Sequence, residues 1–388
     1  MTARSPQYDV IIAGAGPAGS CTAIRLADAG RSVLLLEQKQ FPRQKLCGEF
    51  ISPECLGHFA ELGIADAIRT DAVPITRTVF YTSGGRSIAV PSEWFATGSH
   101  AIGLSWAEMD ARLMQRARDV GVDVHENAHI TSLSFSDGKV HGVRVRSWDS
   151  DATSRLVVDA TGRARLLARE IEKAQGKSAR RADYVAFKAH FKDASVNAAD
   201  CEIYGYRGGY GGCSHVENGL ANLCFIVTAD IAKRHRGDAA DIMQTILFKN
   251  ERAASTLRNA RLAGEWLAVP IESYGRGELA PAEGLLTVGD AAAFIDPFTG
   301  SGILLALESG KVVSGAIDAE WLQPFGSLAT EYERRYRSAF DRRLRASSFV
   351  RLAAFVPFLA EIVVLTLSKS DGLARRLARA TRPAEAAS

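Results

Sequence analysis

Hydrophobic positions near the start of the chain predict a strand, a turn, a helix and a second strand. Residues 8–37, YDVIIAGAGPAGSCTAIRLADAGRSVLLLE, begin with an apolar run that ends in glycines, continue through a helical stretch and close with another apolar run. Short apolar runs bounded by glycine are typical of buried strands, and the segment between them is long enough for a helix. The pattern therefore predicts a β-turn-α-β unit.

The middle of the chain has a different pattern. The segments YVAFKAHF (residues 184–191), EIYGYRGGYGG and VENGLANLCFIV (residues 216–227) each predict a strand, and Asn218-Gly219 is typical of a hairpin turn. We therefore expect an antiparallel sheet here.

The last hundred residues contain two further apolar segments. In EGLLTVGDAAAFIDPFTGSGILLALESGKVVSGAI (residues 283–317), a short strand ends at Gly289-Asp290 and a long helical run follows, which predicts a second ligand-facing turn. The apolar stretch from Leu352 to Leu367 is interrupted by Pro357 and Glu361 and is too short for a confident transmembrane helix. It predicts either a helix packed on the protein or one that lies in a membrane interface.

The first turn carries the glycine spacing of a dinucleotide site. Gly14, Gly16 and Gly19 fit G-x-G-x-x-G, in which the first glycine makes the turn, the second admits a pyrophosphate and the third lets the helix pack on the strand. The helix N-terminus then faces the phosphates. Glu37 closes the second strand at the spacing where a carboxylate accepts hydrogen bonds from a ribose. These features together predict a bound dinucleotide.

The second turn indicates which dinucleotide is bound. A flavin needs an acceptor for its ribityl hydroxyls and positive dipole near its pyrimidine edge. Asp290 and the helix that starts near Gly302 supply both. The alternative for Asp290 is a plain turn or N-cap residue.

Composition and charge limit the other classes of function. The chain has 388 residues, of which 47% are hydrophobic, so it can bury a core that is large enough for two or three domains. Its first ten residues contain no apolar leader, and its six cysteines form no metal-binding spacing, so we expect a cytoplasmic protein without bound metal. The net charge of +3 divides into +9 over residues 334–382 and −6 elsewhere. This basic segment favours a solvated helix face or anionic lipid over nucleic acid.

Three segments together resemble a known flavoprotein superfamily. The glycine turn, VVDATG at residues 157–162 and GDAAAFIDPFTGSGI resemble the FAD-dependent superfamily that contains geranylgeranyl reductases, aromatic-ring hydroxylases of the p-hydroxybenzoate hydroxylase type and flavin-dependent halogenases. RQKLCGEFISPE (residues 43–54) resembles the geranylgeranyl reductase branch, in which Cys-Gly often follows a PxxK-like lead, here Pro42 and Lys45.

The resemblance implies a fold and a set of site residues. The fold class is α/β: a discontinuous Rossmann-type FAD-binding domain (residues 1–78, 100–175 and 280–330), an inserted antiparallel substrate domain (79–99 and 176–279) and a C-terminal helical segment (331–388). Arg112 falls where the family's arginine reaches the FAD phosphates. The tyrosines of the inserted sheet are candidates either to line the substrate cavity or to pack within the sheet: Tyr204, Tyr206 and Tyr210. The implied backbone contacts to FAD are Ala18, Gly48, Gly302 and Ile303.

Some departures from related families narrow the function. Halogenases carry a W-x-W-x-I-P motif, but no two tryptophans in this chain are two residues apart. Flavin disulfide reductases carry a C-x4-C pair, whereas seven residues separate Cys47 from Cys55. Many relatives have a serine in the segment ATGRARLLAR where this chain has Arg165. Halogenation and disulfide reduction are therefore disfavoured.

Cys47 is the candidate catalytic residue. The resemblance places it near the flavin, and Gly48 suits a backbone that passes close to the ring or takes a positive φ. The thiol then either delivers a proton to the substrate or is a buried packing residue.

We expect an FAD-dependent oxidoreductase whose flavin takes electrons from NAD(P)H or another reductant. Reduction of C=C bonds in a lipophilic, isoprenoid or polyene-like substrate is the leading interpretation, because of Cys47-Gly48 and the apolar C-terminal segment. An FAD-dependent monooxygenase that hydroxylates or epoxidises a secondary metabolite is an alternative. A non-catalytic FAD-binding electron relay is an alternative of another class. We expect no nucleic-acid partner, and the C-terminal segment is compatible with peripheral membrane contact.

Overall fold

The fold is known from a computed structural model that describes residues 7–95, 99–177, 182–272, 275–294, 298, 300–355 and 357–380, with backbone only for 346–355, 357–360 and 380. The helices in these residues are α1 (Pro17–Asp28), α2 (Pro53–Glu61), α3 (Ala65–Arg69), α4 (Trp106–Asp119), α5 (Leu166–Ala174), α6 (Ala229–Arg234), α7 (Ala239–Thr245), α8 (Glu251–Leu257), α9 (Gly302–Ala319), α10 (Phe325–Phe355), α11 (Pro357–Leu367) and α12 (Asp371–Ala380).

The strands alternate with these helices in the first half of the chain and dominate its middle. They are β1 (Tyr8–Ala13), β2 (Val33–Leu36), β3 (Phe50–Ile51), β4 (Val73–Ile75), β5 (Arg77–Tyr81), β6 (Ser87–Pro91), β7 (Ala101–Gly103), β8 (Asp123–His125), β9 (Ile130–Ser136), β10 (Lys139–Val145), β11 (Ala152–Asp159), β12 (Tyr184–Lys192), β13 (Asp200–Tyr206), β14 (Gly209–His215), β15 (Ala221–Thr228), β16 (Arg261–Leu262), β17 (Leu267–Ile271), β18 (Gly275–Arg276), β19 (Leu285–Thr287) and β20 (Ala293–Phe294).

The first sheet is the predicted dinucleotide-binding layer. Its strands run in the order β8-β2-β1-β11-β10-β9, with β19 also paired to β11. The strands β8, β2, β1, β11 and β19 are parallel. Parallel strands buried on both faces are continuous apolar runs, which is why VIIA and VLLL were recognisable in the sequence. The predicted β-turn-α-β unit is therefore present as β1, α1 and β2.

The second sheet is mainly antiparallel and takes strands from two parts of the chain. Its order is β16-β12-β15-β14-β13-β5-β6, with β17 also paired to β12. Strands β5 and β6 come from residues 77–91, and the others come from residues 184–271. The predicted fold class is confirmed: a discontinuous α/β layer with an inserted antiparallel sheet and a C-terminal run of helices. The residue boundaries given above for the three parts stay predictions.

One strand prediction needs a correction. EIYGYRGGYGG was expected to be a single strand, but it spans most of a hairpin in which β13 and β14 meet at Arg207-Gly208. Gly208 has a φ of +91°, which allows the tight turn. The turn at Asn218-Gly219 lies between β14 and β15, and both residues have positive φ.

The C-terminal helices lie against both layers. Helix α10 packs on α9, α11 packs against β6 and β13, and α12 packs against β6 at the edge of the second sheet. Glu361 on α11 accepts hydrogen bonds from the Gly84 amide (2.9 Å) and from Arg86 (3.2 Å) in the turn between β5 and β6. No helix of the described residues is both long enough and apolar enough to cross a membrane.

Candidate functional site

The turn between β1 and α1 needs glycine at two positions. Gly14 has a φ of +104°, and a Cβ there would lie 2.5 Å from the Ala160 carbonyl oxygen. A Cβ at Gly19 would lie 1.9 Å from the Gly14 carbonyl oxygen. These neighbours are backbone atoms that cannot give way, so the two glycines let α1 pack directly on the parallel strands.

The space in front of this turn fits a pyrophosphate. A Cβ at Gly16 would meet only the Lys45 Nζ, at 3.9 Å, and the same Nζ is 3.9 Å from a Cβ built on Gly162. The first N–H groups of α1 also point out of its N-terminus, where the helix dipole is positive. A helix N-terminus, an ammonium and free space are what an anionic dinucleotide requires.

Glu37 holds the same turn in place. Its carboxylate is 4% exposed and accepts hydrogen bonds from the Ala15 amide (3.1 Å), the Lys39 amide (3.0 Å) and Arg43 (3.1 Å). The predicted contact of Glu37 with a ribose stays a prediction. Its position at the end of β2, beside the glycine turn, agrees with that role.

Asp290 lies in the second turn, directly after β19. The turn from Gly289 to Ala291 is tied to α9 by a hydrogen bond from the Gly289 amide to the Ser309 hydroxyl (3.0 Å). The side chain of Asp290 lines a cavity, and burial raises its pKa, while the charges of Lys45 and Arg163 oppose that rise. A carboxylate here could accept hydrogen bonds from ribityl hydroxyls.

Arg165, which departs from the family pattern, braces this second turn. Its Nε donates to the Ala291 carbonyl oxygen (3.0 Å), and its guanidinium pairs with Glu172 (2.8 Å). The residue itself has a φ of +47° and precedes α5. The arginine therefore supports the backbone beside Asp290 from behind.

A cavity of about 380 Å³ joins the two turns. The predicted site residues that line it are Gly16, Ala18, Cys47, Gly48, Asp290, Gly302 and Ile303. Gly14, Gly19 and Glu37 lie behind this wall and shape the glycine turn. These residues come from two distant parts of the chain, residues 14–48 and 290–303, and the fold brings them to one place, where they fit FAD.

Arg112 is a predicted site residue that lies away from both the cavity lining and the glycine turn. Its guanidinium donates to the Ala67 carbonyl oxygen, to Asp71 (3.0 Å) and to Glu108 (3.1 Å). These acceptors hold the side chain over α3 and the turn that follows it, away from the cavity lining. The arginine next to the glycine turn is Arg43, which binds Glu37.

Cys47 presents a half-buried thiol to the cavity. The Glu49 amide lies 3.4 Å from its Sγ, and Asn222 donates a hydrogen bond to its carbonyl oxygen (3.1 Å). Burial raises the pKa of the thiol to about 11, although the Glu49 N–H and the charges of Lys188 and Lys45 act in the opposite direction. The thiol therefore keeps its proton at neutral pH, as a proton donor must, and is a poor nucleophile.

The backbone after Cys47 differs from our expectation. The positive φ falls on Glu49 (+53°) and not on Gly48. A Cβ at Gly48 would meet nothing within 4 Å, so glycine leaves open space at the cavity wall. Of the two reasons that we gave for Gly48, only the close approach to a ring remains.

The cavity wall formed by the second sheet and the C-terminal helices is mainly apolar. The second sheet contributes Phe80, Ile88, Val90, Ile203, Tyr210 and Ile226, and the C-terminal helices contribute Val363, Val364, Leu367, Ala374, Leu377 and Ala378. A site with this lining suits a hydrocarbon chain and keeps water away from the region next to Cys47.

The three candidate tyrosines divide between this wall and the core. Tyr210 lines the cavity. Tyr204 and Tyr206 are buried on the other face of the sheet, where their hydroxyls bind Glu202 (2.7 Å) and the Ile226 carbonyl oxygen (2.8 Å). Alternation along β13 causes the difference, because Cys201, Ile203 and Gly205 occupy the cavity face.

Several charged residues of the site are not among the site residues predicted from the sequence. Lys45 lies over the Trp106 ring (4.5 Å), and Arg163 lies over the Phe294 ring (5.3 Å); both cations line the cavity. Lys188 is buried and donates a hydrogen bond to the Lys45 carbonyl oxygen, two residues before Cys47. The sequence contains a signal for each of these residues. Lys45 lies within the segment RQKLCGEFISPE, Arg163 follows VVDATG directly, and a lysine inside an apolar strand, such as Lys188, is unusual.

Comparison with known proteins gives a consistent result. A family model described as FAD binding domain matches residues 7–310. Digeranylgeranylglycerophospholipid reductase 2 of Methanopyrus kandleri is 27% identical over 87% of this chain and 84% of its own length. Menaquinone reductase of Mycolicibacterium smegmatis is 26% identical over 90% of this chain and 86% of its own length.

Solved structures share the fold. A geranylgeranyl bacteriochlorophyll reductase-like protein of Thermoplasma acidophilum superimposes with a TM-score of 0.79 at 22% identity, over 98% of this chain and 97% of that one. A flavin-dependent brominase superimposes with a TM-score of 0.80 at 21% identity, over 96% and 93% of the two chains. The resemblance to this superfamily, inferred above from three motifs, is confirmed.

Proposed function

The chain belongs to the FAD binding domain family, and from this premise we propose that it reduces C=C bonds of a lipophilic, isoprenoid or polyene-like substrate. It is an FAD-dependent oxidoreductase. The observation that carries the proposal is the apolar cavity that starts at Cys47 and Asp290 and runs between the second sheet and the C-terminal helices. Two of the relatives above are named as reductases of a digeranylgeranylglycerophospholipid and of menaquinone, which supports the same reaction class.

The chemistry divides between the cofactor and the protein. When bound and reduced, FAD supplies a hydride. Reduction of a C=C bond needs this hydride on one carbon and a proton on the other, and the bond that breaks to give the proton is the S–H of Cys47. The Glu49 N–H, 3.4 Å from Sγ, then stabilises the thiolate until solvent returns a proton. We propose NAD(P)H or another reductant as the electron donor.

The remaining residues of the site bind and orient the reactants. Lys45, Gly16 and the N-terminus of α1 hold the pyrophosphate, and Asp290 and the start of α9 hold the flavin end of FAD. The apolar walls order the hydrocarbon chain and exclude water, which protects the hydride and the thiol from side reactions.

We also propose that the C-terminal helices contact the membrane from which such a substrate comes. Three large apolar side chains on their outer surface are 42–46% exposed: Ile362, Leu365 and Leu373. Lys369, in the turn between α11 and α12, and Arg376 on α12 are also exposed. An amphipathic surface of this kind binds anionic lipid through both apolar insertion and charge.

An anaerobic half-reaction tests the proposed activity. The purified protein is reduced, mixed with a polyprenyl substrate without oxygen, and followed by flavin absorbance and product mass. We expect the flavin to reoxidise and the product to gain two hydrogens. Reoxidation that requires oxygen, with an oxygen atom in the product, identifies the monooxygenase alternative. No turnover with any substrate and reductant points to the electron-relay alternative.

A further inference from the structure

The face of the second sheet that points toward the cavity carries buried polar side chains. On β12, Ala186, Lys188 and His190 alternate with residues of the apolar core. In the pairing of β12 with β15, Lys188 lies opposite Cys224 and His190 lies opposite Asn222. Lys188 is 1% exposed. A buried ammonium is strongly destabilising unless it is paired and hydrogen-bonded, so core packing alone does not explain this lysine.

The partners of Lys188 belong to the segment that carries Cys47. Its Nζ donates to the Gln44 amide oxygen (3.2 Å), to the Lys45 carbonyl oxygen (3.1 Å) and to the Glu49 carboxylate. An ammonium has three protons, and these acceptors use all of them. They lie on both sides of Cys47 in the sequence, so one side chain of the sheet fixes the whole segment 44–49.

Glu49 receives further support from His190, on the same strand as Lys188, and from α4. His190 Nε2 lies 2.6 Å from its carboxylate, and the Trp106 amide donates to it (2.9 Å). Burial opposes ionisation of Glu49, but the bond to His190 and the charge of Lys188 outweigh it and hold its pKa below the usual value. The carboxylate is therefore charged and bound to two different layers of the fold.

Segment 44–49 has a backbone shape that needs such support. Glu49 has a φ of +53°, a left-handed conformation that is strained for a residue with a side chain. A conformation of this kind persists where its surroundings determine it fully. Here the surroundings are Lys188, His190 and Asn222, which are more than a hundred residues away in the sequence.

We propose that Lys188 is a positioning residue that holds Cys47 at the cavity wall, and thereby aligns the thiol with the substrate carbon that receives the proton. This inference rests on the proposed function, because it gives Cys47 the role of proton donor. Lys188 acts through the 44–49 segment and touches neither substrate nor flavin.

The first test compares Lys188→Gln with Lys192→Gln, which changes an exposed lysine on the same strand. Amide hydrogen exchange of residues 44–49 is measured in the oxidised, FAD-bound protein, and anaerobic flavin reoxidation by a polyprenyl substrate is measured after reduction. Displacement of a reacting group by 1 Å costs about a hundredfold in rate. We therefore expect Lys188→Gln to exchange faster at residues 44–49 and to reoxidise about ten- to a hundredfold more slowly, through kcat and not KM. Lys192→Gln should match the parent.

A second variant separates positioning from folding. Lys188→Met combined with Glu49→Gln removes both charges, so that no unpaired ion is left buried. We expect it to bind FAD and to show the same faster exchange and slower reoxidation. If exchange or reoxidation stays at the parent's level in the variant that folds, Lys188 does not position Cys47 for the reaction. Amide exchange is measured without substrate. If the proposed substrate class is wrong, the parent protein itself fails to reoxidise with the polyprenyl substrate, and the exchange comparison still tests whether Lys188 holds residues 44–49.

Discussion

At the scale of single residues, the site combines a protonated thiol with fixed charges. Cys47 keeps its proton because burial raises the pKa of its thiol to about 11. Lys45 and Arg163 lie along the same cavity wall as Asp290, whose pKa is raised by burial. Positive charge is therefore available where an anionic cofactor would bind, and a proton is available where a substrate carbon would need one.

Replacement of the thiol tests its role directly. We expect Cys47→Ala to retain FAD but to lose about 10²–10⁴-fold in substrate-dependent flavin reoxidation, the usual contribution of a general acid. Because the thiol must be protonated to act, the parent's rate should hold from pH 7 to about 9 and fall as pH approaches about 11, the pKa of the thiol. Cys47→Ser should lack this fall, since a hydroxyl does not ionise in that range. A Cys47→Ala protein as fast as the parent shows that the cysteine only packs.

Asp290 should contribute to cofactor binding without contributing to the core. We expect Asp290→Ala to weaken FAD binding by about 10- to 100-fold, because a hydrogen bond to a charged group is worth about 1.5–3 kcal/mol. Thermal unfolding of the apoprotein should not change. Asp149→Ala, at an exposed loop position, is the control. Equal FAD affinity in titrations of the two variants would make Asp290 a turn residue only.

At the scale of elements, two turns and one segment define the site. The β1–α1 turn is close-packed behind Gly14 and Gly19 and open in front of Gly16. The turn after β19 is braced by Arg165 and Ser309. The segment 44–49 is held by side chains of β12 and β15. Each element is fixed by a neighbour, so the site is largely preformed before the cofactor binds.

The β1–α1 turn allows a variant that separates cofactor loss from unfolding. The protein has room for a Cβ at Gly16, whose nearest neighbour would be the end of a flexible lysine at 3.9 Å. We expect Gly16→Val to fold but to bind FAD at least about tenfold more weakly, a loss of about 1.4 kcal/mol or more, because the side chain occupies the pyrophosphate space. Gly57→Ala, at an exposed position of α2 with nothing within 4 Å, should bind FAD normally. Full flavin retention by Gly16→Val would contradict the placement of the cofactor.

At the scale of the whole molecule, the C-terminal helices have two different faces. One face closes the cavity with side chains such as Val364, Leu367 and Leu377. The other face exposes apolar residues beside basic ones. Polar contacts of Glu361 with the β5–β6 turn and of Arg379 with the Trp94 carbonyl oxygen (3.0 Å) hold the pair on the second sheet. A lipophilic substrate could therefore pass from a membrane into the cavity along these helices.

Membrane contact is tested with the outward-facing residues alone. We expect the parent protein to co-float with vesicles that contain anionic lipid at low salt. The triple variant Ile362→Ser/Leu365→Ser/Leu373→Ser should bind them at least about tenfold more weakly, because each half-exposed side chain adds about 1 kcal/mol on insertion. Leu322→Ser is the control, because Leu322 is 86% exposed outside this surface. Added salt should weaken the parent's binding by screening its charges. A parent that never floats with anionic vesicles rules out the contact.

The sequence by itself determined the parts of this protein that depend on local pattern. The β1-turn-α1-β2 unit follows from two apolar runs and from glycines whose spacing is set by backbone sterics. The turn at Asp290 and the helix α9 were visible for the same reason. Three motifs were enough to place the chain in its superfamily and to select Asp290 as a candidate, and the segment RQKLCGEFISPE selected Cys47.

The tertiary structure alone decided which distant residues meet. Lys188 and Glu49 are 139 positions apart, and neither belongs to a local motif that predicts their contact. The direction of Arg112 depends on acceptors from α3 that pattern does not reveal. Tyr204 and Tyr210 face opposite sides because a hairpin turn between them sets the register of β13 and β14. Local sequence determines the helices, strands and turns. Long-range packing determines the partner of each buried charge, because a buried ion must be paired and hydrogen-bonded and only the fold brings such a partner close.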